Sequence, residues 1–258
     1  MGVSDKSTGD TISFSDINDE LGNSTTATLD MKTAGDSFSG INTDGVYSIT
    51  EFYGVSDASP VFSSFTAAGN ASTTGRIDIN WGTSGPVDSF SLLRATSIDG
   101  SGDLDENITI VNTNDGSHAD TGLSNSGTNA GVYYYQATAI NTDPNPNKAT
   151  DSSVVSATLL PTVTSFSATA NSGIGGQIDL AWTNNGIVTQ VVVKRADNSG
   201  MSTNLATILT DTSSPFATSF SDTGQSGTKY YQVHITNATG TTLSSVENDT
   251  ATSAIART

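Results

Sequence analysis

Two stretches of this chain carry nearly the same sequence, RIDINW at residues 76–81 and QIDLAW at residues 177–182. In the first stretch Ile77, Ile79 and Trp81 alternate with polar residues, and the second stretch repeats this alternation. Successive side chains of a β-strand point to opposite faces, so each stretch predicts a strand with one buried face. The repetition therefore predicts two copies of one β-structure.

The same separation of 101 residues extends outward in both directions. It aligns PVFSSF (60–65) with PTVTSF (161–166), and SFSLLRA (89–95) with QVVVKRA (190–196). A later pair of strands reads YYYQATAIN (133–141) and KYYQVHITN (229–237), each after a DTG turn signal. The expected inward residues of that pair are Tyr133, Tyr135, Ala137 and Ala139, and Lys229, Tyr231, Val233 and Ile235. About seven short strands in each copy of about 100 residues predict an antiparallel sandwich.

Both copies resemble fibronectin type III domains. The resemblance covers residues 59–258 and rests on the opening proline, the second-strand tryptophan, the DTGL…G…YYYQATAIN pattern and a closing Ser/Thr-rich strand. It implies a mainly β protein with two tandem fibronectin type III-like (immunoglobulin-like) antiparallel β-sandwiches, at 59–160 and 161–258, after a small mixed α/β N-terminal module at 1–58. Lys229 stands where the pattern wants a tyrosine, so a tyrosine-corner hydrogen bond is open to Tyr133 in the first copy only.

The N-terminal module contains two short helix signals, ISFSDINDELG (12–22) and YSITEFYG (47–54). Ser13 with Asp16, and Ser48 with Glu51, have the spacing of N-terminal capping pairs. Helices of about two turns are unstable alone, so their apolar faces must be buried against a partner. The predicted assembly or docking residues are Phe14, Ile17, Leu21, Ile49, Phe52 and Tyr53.

The succession ISFSDINDELG…STTATLDM…YSITEFYG resembles N-terminal segments of structural proteins of tailed bacteriophages. This resemblance implies a virion protein, assembled in the host cytoplasm and exposed outside after release, whose β-domains act as spacer, decoration or adhesive arm. Tail, neck or baseplate is favoured over head. Its expected partners are other virion proteins and further copies of itself, and a host-surface glycan is left open.

The alternative is a bacterial cell-surface or carbohydrate-binding module. Tyr134 and Tyr230 are expected to face outward, one in each copy, and could form a glycan platform. Coverage of these rings by neighbouring side chains is the favoured interpretation, because most outward aromatic residues are covered in that way.

Composition excludes several other classes of function. The chain has 26 acidic and 9 basic residues and a net charge of −17, which repels the phosphate backbone of nucleic acids. It contains no cysteine, so disulfides, thiol chemistry and cysteine-based metal sites are impossible. No apolar run approaches the length of a membrane span, and the start lacks the apolar core of a secretory signal.

No catalytic or cofactor-binding constellation is visible, and we expect no enzymatic activity and no cofactor. His118 is predicted in a turn and His234 on the outward face of a strand. In DGSGDLDE (99–106) the oxygen-bearing residues alternate, which permits a loose calcium site, although an EF-hand would require glycine and glutamate at two positions that hold Leu104 and Ile110. A solvated loop is favoured there, and the alternative calcium ligands are Asp99, Ser101, Asp103 and Asp105.

Overall fold

The computed structural model describes residues 58–142 and 147–252, together with Ser13, Asp16, Ile17 and Asp19 near the N-terminus. In the first copy the strands are β1 (Val61–Gly69), β2 (Arg76–Ser84), β3 (Ser89–Ala95), β4 (Ser97–Ile98), β5 (Leu104–Asp105), β6 (Ile108–Val111), β7 (Ser117–Thr121), β8 (Val132–Asn141), β9 (Lys148–Asp151) and β10 (Val155–Thr158). In the second copy they are β11 (Thr162–Ala170), β12 (Ile178–Asn185), β13 (Gln190–Ala196), β14 (Ala206–Asp211), β15 (Ser219–Asp222), β16 (Gly227–Thr236), β17 (Thr241–Leu243) and β18 (Glu247–Ala251).

Each copy forms two sheets with the same strand order. In the second copy one sheet has the order β11-β12-β15, and the other has the order β14-β13-β16-β17 with β18 also pairing with β16. In the first copy the orders are β1-β2-β7 and β10-β8-β3-β6, with β9 on β8, and β4 and β5 form a separate hairpin. The mainly β, tandem fibronectin type III-like architecture predicted from the sequence is confirmed.

The packing of the chain divides it differently from the repeat. Of the described β-region, one compact unit comprises residues 58–66, 79–118, 134–142 and 147–155, and the other comprises residues 67–78, 119–133 and 156–252. The second copy of the repeat therefore lies wholly within one unit, whereas the first copy is shared between the two. The domain limits 59–160 and 161–258 stay a prediction.

The core of the second copy comes from strands of both sheets, as the alternation predicts. Phe166 on β11 meets Trp182 on β12 edge to face, with ring centroids 6.5 Å apart. The fully packed residues are Ile178, Leu180, Trp182, Val191, Val193, Tyr231, Val233 and Ile235. Burial of each large apolar side chain contributes about 1.5–3 kcal/mol, so this cluster is the main source of stability for the copy.

The first copy buries the equivalent residues. Ile77, Ile79 and Trp81 of β2 lie inside, and the Trp81 ring stacks on Phe90 with centroids 5.0 Å apart. The predicted inward set of the later strand is confirmed: Tyr133, Tyr135, Ala137 and Ala139 are buried. In the second copy three of the four predicted residues are buried and Lys229 is half-buried.

A buried serine interrupts the closing strand in each copy. Ser244, between β17 and β18, accepts a hydrogen bond from the backbone N of Val233 at 2.9 Å and donates one to the carbonyl of Ser245 at 2.6 Å. Ser152, between β9 and β10, likewise accepts from the backbone N of Ala137 at 2.9 Å. In each copy the serine hydroxyl accepts the hydrogen bond that a backbone carbonyl of the closing strand would otherwise accept. The single closing strand that the sequence predicts is therefore divided into two short strands.

Candidate functional site

The predicted N-terminal capping pair is present. The backbone N and the Oγ of Ser13 each donate to the Oδ2 of Asp16 at 2.7 Å, and the backbone N of Asp16 donates to the Oγ of Ser13 at 3.3 Å. Asp16, Ile17 and Asp19 are helical, and Ile17 is completely buried. The other predicted docking residues, Phe14, Leu21, Ile49, Phe52 and Tyr53, lie outside the described residues. The docking role of Ile17 stays a prediction.

The acidic loop between β4 and β5 binds its own backbone. The Oδ1 of Asp99 accepts from the backbone N of Ser101 at 2.8 Å and of Asp103 at 3.0 Å. The Oδ2 of Asp105 accepts from the Oγ of Ser97 at 3.3 Å. In the part of the chain that the structure describes, no three carboxylates or imidazoles are grouped as a metal site would require. The solvated loop stays the favoured prediction for these residues, with calcium binding as its alternative.

The position of His118 corrects the prediction. It lies on strand β7 rather than in a turn, because the turn ends at Gly116, whose φ of 80° only glycine adopts freely. The carbonyl of Gly116 accepts a hydrogen bond from the backbone N of Trp81 at 2.9 Å, and β7 begins with the next residue.

His234 lies on the outward face of β16, as predicted, and is half-buried. Its Nε2 is 3.0 Å from the Oε1 of Gln232. Burial lowers the pKa of His234, and the nearby charge of Lys194 lowers it further. The imidazole is therefore neutral at pH 7. Its hydrogen-bond partner is the side-chain amide of Gln232, and not a hydroxyl group that it could activate as a nucleophile.

Sequence reasoning missed a buried ionic network around Asp222, which is 6% exposed. The Nη1 of Arg195 lies 3.0 Å from both carboxylate oxygens, and the hydroxyl of Tyr231 donates to Oδ2 at 2.9 Å. The Nε2 of Gln225 donates to Oδ1 at 3.0 Å. Burial raises the pKa of the Tyr231 hydroxyl, and the adjacent carboxylate raises it further.

A signal for this network was present in the sequence. Arg94 and Arg195 are aligned by the repeat, and a DTG turn precedes the tyrosine strand in both copies. In the sheets Arg195 is the register partner of Tyr231, and Arg94 is the register partner of Tyr135. An arginine therefore lies opposite a tyrosine in both copies. This recurrence could have indicated that the aspartate of the preceding DTG turn is buried between the two side chains.

The chemistry of this network is structural. A carboxylate that accepts hydrogen bonds from guanidinium, phenol and amide donors has few lone pairs left for a substrate proton. The two charges are also paired with each other and mostly shielded from water. Asp222 therefore holds strands together rather than acting as a general base.

The tyrosine-corner expectation is confirmed in the first copy. The hydroxyl of Tyr133 donates to the carbonyl of Ser124 at 3.1 Å and accepts from its backbone N at 3.1 Å. In the second copy Lys229 instead places its Nζ 2.5 Å from the Oδ1 of Asp197. The Nδ2 of Asn204 donates to the other oxygen of Asp197 at 2.6 Å, and this bond and Lys229 lower the pKa of Asp197.

The outward tyrosines are partly covered. Tyr134 and Tyr230 are each half-buried, and their register partners on the neighbouring strand are the small residues Ala95 and Ala196. A glycan platform at these rings stays the untested alternative to their coverage by neighbouring side chains.

The comparisons with known proteins concern the fold. No family model matches the chain, and no curated protein matches it. Similar solved structures include FN3tt, with 10% identity and a TM-score of 0.30 over 35% of this chain and 91% of that chain. The central fibronectin-III array of RIM-binding protein has 13% identity and a TM-score of 0.27 over 79% of this chain and 72% of that chain. The FN1–FN3 domains of chicken CNTN1 have 13% identity and a TM-score of 0.28 over 76% and 67%.

The strand order of the sheets shows a β-rich chain with two fibronectin type III-like sandwiches. The carboxylates of Asp222 and Asp197 both bind side chains of their own sandwich. Among the described residues there is no helix with the length and hydropathy that a membrane crossing requires.

Proposed function

We propose that this chain is a non-enzymatic structural component of a tailed-phage virion. Residues 1–58 dock to the particle, and two fibronectin type III-like domains project from it as a spacer, decoration or adhesive arm. One observation carries the proposal: the segment that resembles virion proteins begins a capped helix at Ser13 and Asp16 and buries Ile17 completely. Because Ile17 is buried within the chain itself, the capped helix is a packed element whose exposed side can face a partner.

The charge of the chain supports a position on the outside of a particle. A net charge of −17 keeps a projecting domain soluble at the high local concentration of a virion surface. The same charge disfavours contact with the packaged nucleic acid. The expected partners are therefore other virion proteins and further copies of this chain, and the protein is exposed after release from the host.

The test is incorporation into particles assembled in cells, counted by mass spectrometry of purified virions. The full chain is compared with residues 59–258 and with Ile17→Asp, and Asp19→Asn on the exposed side of the same helix is the matched control. Burial of one isoleucine contributes about 1.5–3 kcal/mol. Since Ile17 is buried within the chain itself, Ile17→Asp disrupts the folded helix of the docking segment, and we expect it to reduce incorporation at least about tenfold and Asp19→Asn to leave it unchanged.

Circular dichroism of each variant must show intact β-structure for the comparison to count. Incorporation of residues 59–258 at the level of the full chain would overturn the docking role and move the anchor into the sandwiches. Incorporation of no form of the protein would overturn the virion assignment itself.

A further inference from the structure

Residues 158–160 connect the two copies of the repeat, and side chains of the second copy bind this connection. The Nδ2 of Asn237 donates to the carbonyl of Leu159 at 2.8 Å, and the Oγ1 of Thr239 donates to the carbonyl of Thr158 at 2.6 Å. Asn237 is buried, and its Oδ1 accepts from the backbone N of Thr239 at 2.8 Å. The asparagine that orders the turn after β16 therefore also binds the connection.

The first copy binds the same connection. The backbone N of Leu159 donates to the carbonyl of Gly131 at 3.0 Å, and the Nδ2 of Asn125 donates to the carbonyl of Leu160 at 2.6 Å. Leu159 is thus bonded to the first copy through its backbone N and to the second copy through its carbonyl. Leu159 is 0% exposed and Leu160 is 3% exposed. A connection that is buried and hydrogen-bonded in this way is a packed element rather than a linker.

Two glycines allow close packing around this connection. A Cβ at Gly69, which ends β1, would overlap the carbonyl of Thr158 and lie 2.7 Å from the Cγ2 of Thr239. A Cβ at Gly240 would lie 3.1 Å from the Cδ2 of Leu160. Glycine at these two positions therefore permits contacts between the copies that a side chain would obstruct.

We infer that this joint, formed by residues 158–160 with Asn125, Gly131, Asn237 and Thr239, makes the two sandwiches unfold as one cooperative unit. Tandem domains joined by an exposed linker unfold independently, because few contacts cross between them. Here the unfolding of either sandwich would remove hydrogen-bond partners from the connection and expose its two buried leucines to water. All residues of the joint lie in a single compact unit, although they come from both copies.

The first copy holds the segment before it with the same asparagine. Asn141 and Asn237 stand at the same position after the tyrosines of the two aligned strands, and the separation of 101 residues aligns Ala58 with Leu159. The Nδ2 of Asn141 donates to the carbonyl of Ala58 at 2.7 Å, and Asn141 is buried. On the proposed function, this asparagine also fixes the connection between the docking segment and the first sandwich.

The test is hydrogen exchange of the purified full chain in increasing urea, measured by mass spectrometry of peptides from β3 and β13. The repeat aligns these two strands, and each reports the unfolding of its own sandwich. Val193→Ala weakens the core of the second copy, and Ile79→Ala weakens that of the first. We expect either variant to lower the urea midpoint of both strands by the same amount, because neither sandwich unfolds without the other.

A second set of variants assigns this coupling to the joint. Asn125→Ala combined with Thr239→Val removes two of the hydrogen bonds to the connection. In this background Val193→Ala should lower the urea midpoint of β3 less than that of β13. The matched control is Thr189→Val, which removes a hydroxyl that donates to the carbonyl of Thr236 at 2.9 Å within the second copy. In the control background Val193→Ala should still lower both midpoints equally.

The inference is overturned if Val193→Ala or Ile79→Ala, in the otherwise wild-type chain, lowers the midpoint of its own sandwich alone. It is also overturned if the joint variant transmits the effect of Val193→Ala to β3 as fully as Thr189→Val does. These measurements need no particle, so they are independent of the docking role. Failure of the chain to enter virions would leave the joint intact, and independent unfolding of the two sandwiches would leave the docking role intact.

Discussion

At the scale of single residues, an asparagine and an aspartate hold the first hairpin of each copy. In the second copy the Oδ1 of Asn171 accepts from the backbone N of Gly173 and Ile174, and its Nδ2 donates to the Oδ2 of Asp179 at 2.8 Å. Asn70 and Asp78 make the same bond at 2.7 Å in the first copy. Neutral donors can therefore stabilise a carboxylate in a chain that has few cations.

These donors lower the pKa of Asp179. The Oγ of Ser221 has the largest effect, followed by Asn171 and Gln177, all of which donate hydrogen bonds to the ionised form. The pKa of Asp78 is also lowered, chiefly by Asn70. A hydrogen bond to the charged form of a carboxylate lowers its pKa because protonation removes the acceptor.

We predict that Asp179→Asn reduces the acid sensitivity of the protein. The folded-state pKa of Asp179 lies below its unfolded value, so the unfolded chain binds the proton first as the pH falls. Its stabilising contribution is complete above the unfolded pKa of about 3.9 and is lost as the pH falls through the folded-state pKa. The free energy of unfolding from urea melts should therefore fall less in this variant than in wild type between about pH 5 and pH 2.

Ser221→Ala removes the strongest donor to Asp179. Its free energy of unfolding should therefore fall with decreasing pH by an amount between those of wild type and Asp179→Asn. Identical slopes for wild type and Asp179→Asn would show that this carboxylate has no linkage to folding.

At the scale of elements, the Asp222 network connects both sheets of the second sandwich. Asp222 ends β15 in the three-stranded sheet, whereas Arg195 on β13 and Tyr231 on β16 belong to the other sheet. The side chain of Asp222 is 8% exposed and that of Arg195 is 24% exposed. Hydrogen bonds between the two sheets fix the position of one sheet on the other. Apolar contacts do this less well because they are not directional.

We predict that Asp222→Asn lowers the free energy of unfolding by about 2–4 kcal/mol, because it leaves the guanidinium of Arg195 without its counter-charge in a largely buried position. Partial exposure of Arg195 keeps the loss below that of a fully buried pair. Tyr231→Phe removes only one hydrogen bond to a charged group and should cost about 1.5–3 kcal/mol.

The matched control is Asp197→Asn, which breaks the pair with Lys229 at a carboxylate that is 31% exposed, against 8% for Asp222, and it should cost less than Asp222→Asn. Urea melts followed by tryptophan fluorescence measure all three variants. Equal losses for Asp222→Asn and Asp197→Asn would mean that burial does not distinguish the two pairs.

At the scale of the whole molecule, each copy contains the parts of a sandwich: two sheets, a tryptophan-centred core and a closing strand interrupted by serine. Among the residues that the structure describes, the core of the second copy is built from the second copy alone. This arrangement implies that residues 59–258 contain what the β-structure needs to fold.

We predict that residues 59–258, expressed alone, form a soluble β-protein that unfolds cooperatively. Far-ultraviolet circular dichroism and a thermal melt test this. A helical or featureless spectrum would contradict it, and a non-cooperative melt would mean that residues 1–58 contribute to the cores. The variants at Asp179, Ser221, Asp222, Tyr231 and Asp197 apply equally to this shortened chain, because these residues all lie within it.

The sequence by itself determined the strands, their inward faces and the duplication. Alternation at Ile77, Ile79 and Trp81 was sufficient because strand geometry places every second side chain on the same face. The Ser13–Asp16 cap was predictable for a similar reason, since it joins residues three positions apart in the chain.

Only the tertiary structure decided the contacts between residues far apart in sequence. Arg195, Asp222 and Tyr231 come from three strands in two sheets, and no local pattern states that they meet. The structure also decided that Ser244 divides the closing strand and that His118 lies on β7, because both depend on which backbone groups find partners across the fold. Local geometry sets the face on which a residue lies, whereas sheet packing chooses its neighbour.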